Sequence, residues 1–256
     1  MRSKTQASKP AKKRAAKRPA TKKPGAKQPA SKKPTSQKRA PAEKKAAAKK
    51  RAPAKKKAPP KKARVPKRCW WCGDDADYVR YHDLEWGVPL RDSQALFALL
   101  QLEGMQAGLA WITVLRKRAH MNKRFFAFRP RALVKKGPDE MASWLADAGL
   151  IRNRAKLNAL ITNAQAYLDY ERDHGKGSFV DLLWDFVDGK PVQNRWRGRA
   201  DVPATTPASE AMSKRLKKLG FRFVGSTICY AFMQSAGLVN DHARGCYRHG
   251  ECRALG

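Results

Sequence analysis

The first 68 residues contain no Trp, Tyr, Phe, Leu or Ile, and a single acid, Glu43, against 28 lysines and arginines. Without large apolar side chains the segment has nothing to bury, so its composition excludes a folded core and predicts disorder. The whole chain lacks an apolar run near the 20 residues that a membrane-spanning helix needs. Its start lacks the apolar segment of a secretory signal. It also lacks the amphipathic period of an organelle transit peptide. Period-two alternation is nowhere convincing, which argues against a sheet and for an all-α class. Five cysteines are an odd number. In the reducing cytoplasm or nucleoid expected for this chain, clustered cysteines favour metal over disulfide.

What the first segment has is Lys, Pro and Ala in irregular repeats. Proline breaks helix and like charges extend the chain, so residues 1–68 should behave as a flexible polycation. The matching partner is a nucleic-acid phosphate backbone, bound without sequence preference through counterion release. The segment resembles a linker-histone tail. A solubilising extension is the plain alternative, and a membrane surface fits less well without an apolar face. The other 188 residues hold every aromatic and are long enough for one core. The expected organisation is therefore a 1–68 tail and a 69–256 helical domain.

Within that domain the stretch Leu102–Trp111 follows an amphipathic run that Asp92 or Ser93 can cap. Glu103 sits in it between a leucine and a glycine. It is either a helix-surface acid beside a kink or a buried carboxylate that needs a partner. With Gln106 and Trp111 near it, and the small residues Gly104, Ala107, Gly108 and Ala110 leaving room, a buried Glu103 suits a flat or cationic ligand. Further helices are expected over Asn122–Phe128, from Pro138, over Asn153–Tyr170, over Phe179–Val187, from a Ser209 cap to Leu219, and over Ile228–Ala236. Residues 189–208 read as a polar loop, and Asn240–Cys246 as the end of the ordered part. Arg152, Arg154 and Lys156 follow the turn Gly149-Leu150-Ile151 at a helix start, a pattern suited to one DNA phosphate. A plain helical hairpin with a solvated basic end is the alternative.

Soft and borderline ligands gather at the two ends of this domain: Cys69, Cys72 and His82, then His242, Cys246, His249 and Cys252. Two Cys and two His can hold zinc tetrahedrally, and with every position filled by protein the site is structural. Buried reduced cysteines are the alternative.

The runs Tyr78-Val79-Arg80-Tyr81-His82-Asp83-Leu84-Glu85-Trp86-Gly87-Val88-Pro89 and Leu102-Glu103-Gly104-Met105-Gln106-Ala107-Gly108-Leu109-Ala110-Trp111-Ile112 carry a resemblance. So do Ala148-Gly149-Leu150-Ile151-Arg152, Phe223-Val224-Gly225-Ser226-Thr227-Ile228-Cys229-Tyr230 and Leu238-Val239-Asn240-Asp241-His242. From Cys69 to about Cys246 the chain resembles the 3-methyladenine DNA glycosylase I family. The resemblance implies a helix-hairpin-helix glycosylase fold whose termini are joined by one structural zinc. Its ligands would be Cys69, His82, His242 and Cys246, with Cys72 or Cys252 as rivals for a place. Glu103 falls on the base-recognising acid, with Tyr81 as its catalytic companion. Trp111, Tyr78, Trp86, Trp71 and Gln106 would bind the base, and Gly149, Arg152 and Arg154 the DNA.

Asn153 stands where lyase relatives carry a Schiff-base lysine, which implies a monofunctional hydrolase. Asp169 lies near the position of an acid used by other relatives, and little role is expected of it. The implied partner is double-stranded DNA carrying alkylated purines, met by a monomeric, nucleoid-associated protein. The rival from another class is a non-catalytic, zinc-stapled nucleic-acid-binding protein with a histone-like tail.

Overall fold

The computed structural model describes residues 66–256, so the expectation for the tail lies outside the described residues except at its last three positions. The described residues are mostly helical. Helix α1 (Ala76–Leu84) is capped by Asp75, whose carboxylate accepts from the amides of Asp77 and Tyr78. Tyr78 and Tyr81 lie on this helix, and Trp71 and Trp86 flank it. Helix α2 (Ser93–Gln106) is capped by Asp92. Ser93 instead hydrogen-bonds the Tyr167 hydroxyl and donates to Glu171.

Several expected boundaries move. Helix α3 (Trp111–Arg124) precedes a single 3-10 turn at Phe126–Phe128, so no helix spans Asn122–Phe128. Ala127 there has φ +55°, which no α-helix continues through. Helix α4 (Pro130–Ala146) starts at Pro130, eight residues before the expected Pro138, which lies inside it. Proline stops a preceding helix and also suits the first turn of a new one, and Pro130 takes that second role here. Gly137 fits α4 against α5, because a Cβ there would lie 2.9 Å from Ile161.

Helix α5 (Arg154–His174) is capped by Asn153, and α6 (Ser178–Trp184) runs into a 3-10 turn. Helix α7 (Pro207–Lys218) is capped by Thr206, with Ser209 completing the reciprocal box from inside the helix. Helix α8 is Ser226–Ser235, and α9 (Tyr247–Arg253) extends order beyond Cys246. One short parallel pairing corrects the reading of no strands: β1 (Val192–Gln193) beside β2 (Val239–Asn240). Two residues are too few to show a period.

The main core runs through α2, α5, α7 and α8, with Phe97, Trp144, Phe179, Phe221 and Phe232 fully buried. A second, smaller core holds Cys69, Tyr81, Trp86, Ala243 and Cys246, with Trp71 and Trp111 against it. The site lies where these cores meet. Among the described residues no helix is long and apolar enough to cross a membrane.

Candidate active site

Helices α1, α2 and α8 and the start of α3 enclose a cavity of about 460 Å³. Tyr78, Tyr81, Trp86, Trp71, Trp111, Glu103 and Gln106 all line it. These are the pocket and acid residues named from the sequence, brought to one place. Trp71 packs edge-on against Trp86 at 4.9 Å and against Tyr78 at 5.8 Å. Tyr81 and Trp111 meet at 5.4 Å with a 45° tilt, so they form adjoining walls of the cavity and not parallel plates. The Tyr78 hydroxyl accepts from the Ile112 amide at 3.1 Å, which ties α1 to the first turn of α3.

Glu103 is the buried alternative, at 3% exposure. Its carboxyl oxygen accepts from the Ser235 hydroxyl at 2.8 Å, the one hydrogen bond to it among the described residues. Burial pushes its pKa up to about 7, and Ser235 opposes the shift only in part. Burial therefore disfavours the ionised form of this carboxyl. Tyr81 beside it is raised well above the usual phenol range, first by burial and then by Glu103. The indole N–H groups of Trp71 and Trp111 are buried without an acceptor. Gly104 leaves no room for a ligand: a Cβ there would touch Phe223 at 3.4 Å, so its smallness lets that loop approach.

Residues not foreseen also line the cavity: Trp70, Arg199, Val202, Ala231, Gln234 and Asp241. Asp241 is buried and accepts from the Tyr230 hydroxyl at 2.6 Å, Gln234 at 2.8 Å and Asn194 at 2.6 Å. Its place beside His242 was the one available signal. Arg199 and Val202 lie on the 189–208 loop, whose composition carries no periodicity to place them.

Behind the cavity the side chains of Cys69, His82, His242 and Cys246 converge, their ligand atoms all within 4.8 Å of one another. Cys69 Sγ lies 3.5 Å from His242 Nδ1, and Cys246 Sγ lies 3.3 Å from His82 Nε2. The outward nitrogens fix the tautomers. His82 Nδ1–H donates to Asp83 at 2.8 Å, and His242 Nε2–H donates to the Trp86 carbonyl at 2.9 Å. Both remaining lone pairs then face the two sulfurs, as metal-binding histidines require. Arg68 grips Asp83 with two nitrogens and holds its carboxyl well below the usual range. Cys72 and Cys252 are buried but outside the cluster, and His249 bonds the Asn194 carbonyl instead.

Gly149 forms the turn between α4 and α5. A Cβ there would lie 2.5 Å from His120, and its amide donates to Asp147 at 2.8 Å. Arg152 and Arg154 are exposed beyond it. Lys156 does not join them. It is 7% exposed, and its ammonium donates to the carbonyls of Met105 at 2.8 Å and Ala107 at 2.6 Å. Those carbonyls end α2, where a cation is favoured. Helical periodicity turns position 156 inward, away from Arg152 and Arg154. Asp169 is bound to Arg172 and lines a different cleft.

The family model for methyladenine glycosylase matches residues 71–249. DNA-3-methyladenine glycosylase 1 of Escherichia coli K12 is 48% identical over 180 residues, covering 70% of this chain and 95% of that protein. A crystal structure of 3-methyladenine DNA glycosylase I superposes with a TM-score of 0.69 at 48% identity, covering 71% of this chain and 98% of that one. The Staphylococcus aureus 3-methyladenine DNA glycosylase I, solved for the structural basis of 3-methyladenine recognition, gives 0.67 at 34% identity. That match covers 70% of this chain and 95% of that one.

Proposed function

The chain belongs to the methyladenine glycosylase family, and on that premise we propose that it hydrolyses the N-glycosidic bond of 3-methyladenine in alkylated DNA. The reaction is the opening step of base-excision repair. Chemistry on a base requires that it leave the stack, so the target nucleotide is flipped into the aromatic cavity. The observation that carries this reading is buried Glu103 on the wall of that cavity, with Tyr81 and Trp111 beside it.

A 3-alkylated adenine is cationic in DNA, so its glycosidic bond is already weakened and the departing base needs no added proton. What it needs is a site that selects positive charge. Glu103 is held near neutrality by burial, and a bound cation restores the compensation that burial removed. Neutral adenine offers no such gain, which is a source of selectivity. Tyr78, Trp86, Trp71, Trp111 and Gln106 frame the ring, and purine nitrogens can accept from the unpaired indole N–H groups. Asn153 in place of an amine nucleophile supports hydrolysis without lyase cleavage.

The four-residue cluster fits one structural zinc. Two thiols and two imidazoles with tautomers already set are a zinc donor set, and bound zinc would supply cross-linking, not Lewis-acid chemistry. Cys69 and His82 come from one end of the helical domain and His242 and Cys246 from the other, so the metal joins both. The turn at Gly149 with Arg152 and Arg154 is read as the DNA-binding hairpin, and the basic tail as a non-specific phosphate binder on a nucleoid-associated, cytoplasmic monomer.

The test is incubation of the full chain with methylated duplex DNA, followed by separation of the free bases. Release of 3-methyladenine from strands left unbroken is expected. Retention of the DNA with no base released would overturn the assignment and favour a non-catalytic, zinc-stapled binding protein.

A further inference from the structure

The loop that contributes Arg199 and Val202 to the cavity wall carries a charge pattern that the base pocket does not explain. Asn194, Trp196 and Gly198 are half-buried, whereas Arg195, Arg197 and Arg199 between them are exposed. As far as Gly198 this alternation is that of extended backbone, in which every second side chain shares a face, and Arg199 then opens a 3-10 turn at Arg199–Asp201. The inward face is pinned. The Asn194 side chain bonds Asp241, its carbonyl accepts from His249, and the Trp196 carbonyl accepts from the Arg244 amide at 2.8 Å. The loop continues β1, whose Val192 amide bonds the Leu238 carbonyl at 3.0 Å.

The outward face therefore presents the guanidinium groups of Arg195 and Arg197 from a fixed ribbon, with Arg199 next to them on the turn that follows. None of the three has a carboxylate partner among the described residues, where nine other arginine contacts do. The nearest acid in sequence, Asp201, spends one oxygen on the amides of Arg197 and Gly198. Side chains two residues apart on such a ribbon stand roughly 7 Å apart. That is close to the spacing of neighbouring phosphates on one strand. Arg199 also lines the cavity that holds Glu103.

We infer that Arg195, Arg197 and Arg199 form a phosphate-binding arm for duplex DNA, gripping consecutive phosphates beside the nucleotide that enters the cavity. The arm is separate from the hairpin at Gly149. The hairpin helix reaches the cavity from the side of Gln106, through Lys156 and the end of α2. A flipped nucleotide would thus be held between two basic elements, and backbone grip on both sides is what keeps it out of the stack. The inference rests on the cavity being the place where a nucleotide is held.

The experiment uses the full chain and a short duplex with one abasic-site analogue, made with and without methylphosphonates at the phosphates flanking that site. Neutralising those phosphates should weaken the wild type. In the variant R195Q/R197Q/R199Q the same neutralisation should cost clearly less, because only the contacts of the hairpin remain to be lost. That variant's log affinity should fall less steeply with log salt, by roughly 2–3 in slope, at about 0.9 per lost phosphate contact. The variant R195K/R197K/R199K should keep most of the slope. Wild-type melting, and unchanged binding of free 3-methyladenine by R195Q/R197Q, which leaves the cavity-lining Arg199 in place, would establish that fold and pocket are intact. Equal cost of the methylphosphonates in wild type and R195Q/R197Q/R199Q would overturn the inference. Failure of the wild type to release base from methylated DNA would instead strike the glycosylase assignment, and the phosphate cycle would still report on the arm.

Discussion

His242 donates its Nε2–H to the backbone carbonyl of Trp86 at 2.9 Å, and the Trp86 side chain lines the base cavity. The cysteine–histidine cluster and the pocket therefore share a wall. Trp71 extends it, packing on Trp86 at 4.9 Å and on His82 at 5.4 Å. A metal on those four residues fixes the ring positions that the base would meet.

Cys246→Ala should therefore lower three quantities together: zinc content, melting temperature and affinity for free 3-methyladenine. An incomplete tetrahedral site loses metal and folding energy, and the Trp86 wall loosens with it. One zinc per chain with wild-type melting would remove Cys246 from the site and favour Cys72 or Cys252.

Glu103→Gln keeps the size of the side chain and an acceptor for Ser235 but removes the charge. Free 3-methyladenine in its cationic form should bind the variant about 1–3 kcal/mol more weakly, the range of a charge-assisted hydrogen bond. Neutral adenine should show a smaller difference, measured by calorimetry or fluorescence titration. Equal losses for both bases would make Glu103 a structural acid.

The same acid predicts a pH dependence of stability. Glu103 is raised from 4.5 to about 7 in the folded state. The folded chain thus holds this proton where the unfolded chain has released it. The stability this contributes is full below about pH 4.5 and is lost as pH rises through about 7. Relative to wild type, Glu103→Gln should gain stability across that window, by about 3 kcal/mol at its upper end from the shift converted at 1.36 kcal/mol per unit. Urea denaturation of both proteins from pH 4 to 8 measures the difference, in which other titrating groups cancel. A constant difference would show that the carboxyl is not desolvated.

Gly149→Ala places a Cβ 2.5 Å from the His120 ring. The turn must open, at a cost of about 1–3 kcal/mol for overpacking. Melting temperature and affinity for undamaged duplex should fall together, while free-base binding holds. Unchanged DNA affinity would separate this turn from the DNA.

Removing residues 1–65 should weaken DNA binding most at low salt and flatten its salt dependence, because the segment carries cations without stacking groups. Single-turnover excision at saturating enzyme should hardly change. A large loss of that rate would rule out a purely electrostatic part.

The pocket residues Tyr78, Tyr81, Trp86, Glu103 and Trp111 were legible in the chain because they sit in runs with a recognisable pattern, as do His82 and His242, whereas Cys69 and Cys246 were legible as soft ligands gathered at the two ends of the domain. The helical class followed from the absence of period-two alternation. Lys156 was misread for a physical reason: three cations near a helix start look alike in sequence, and helix rotation decides that this one turns inward to the end of α2. Pro138 was expected to start a helix, but Pro130 takes the first-turn position of α4 and Pro138 lies inside it. Composition and local pattern determined which chemistry this chain carries, since side-chain type and short-range period are written in it directly. Whether Glu103 is buried, which face Arg195 and Arg197 share, and how His242 meets Trp86 were decided only by tertiary structure. Each depends on groups far apart in sequence, Glu103 on Ser235 and His242 on Trp86, and no local period encodes such a distance.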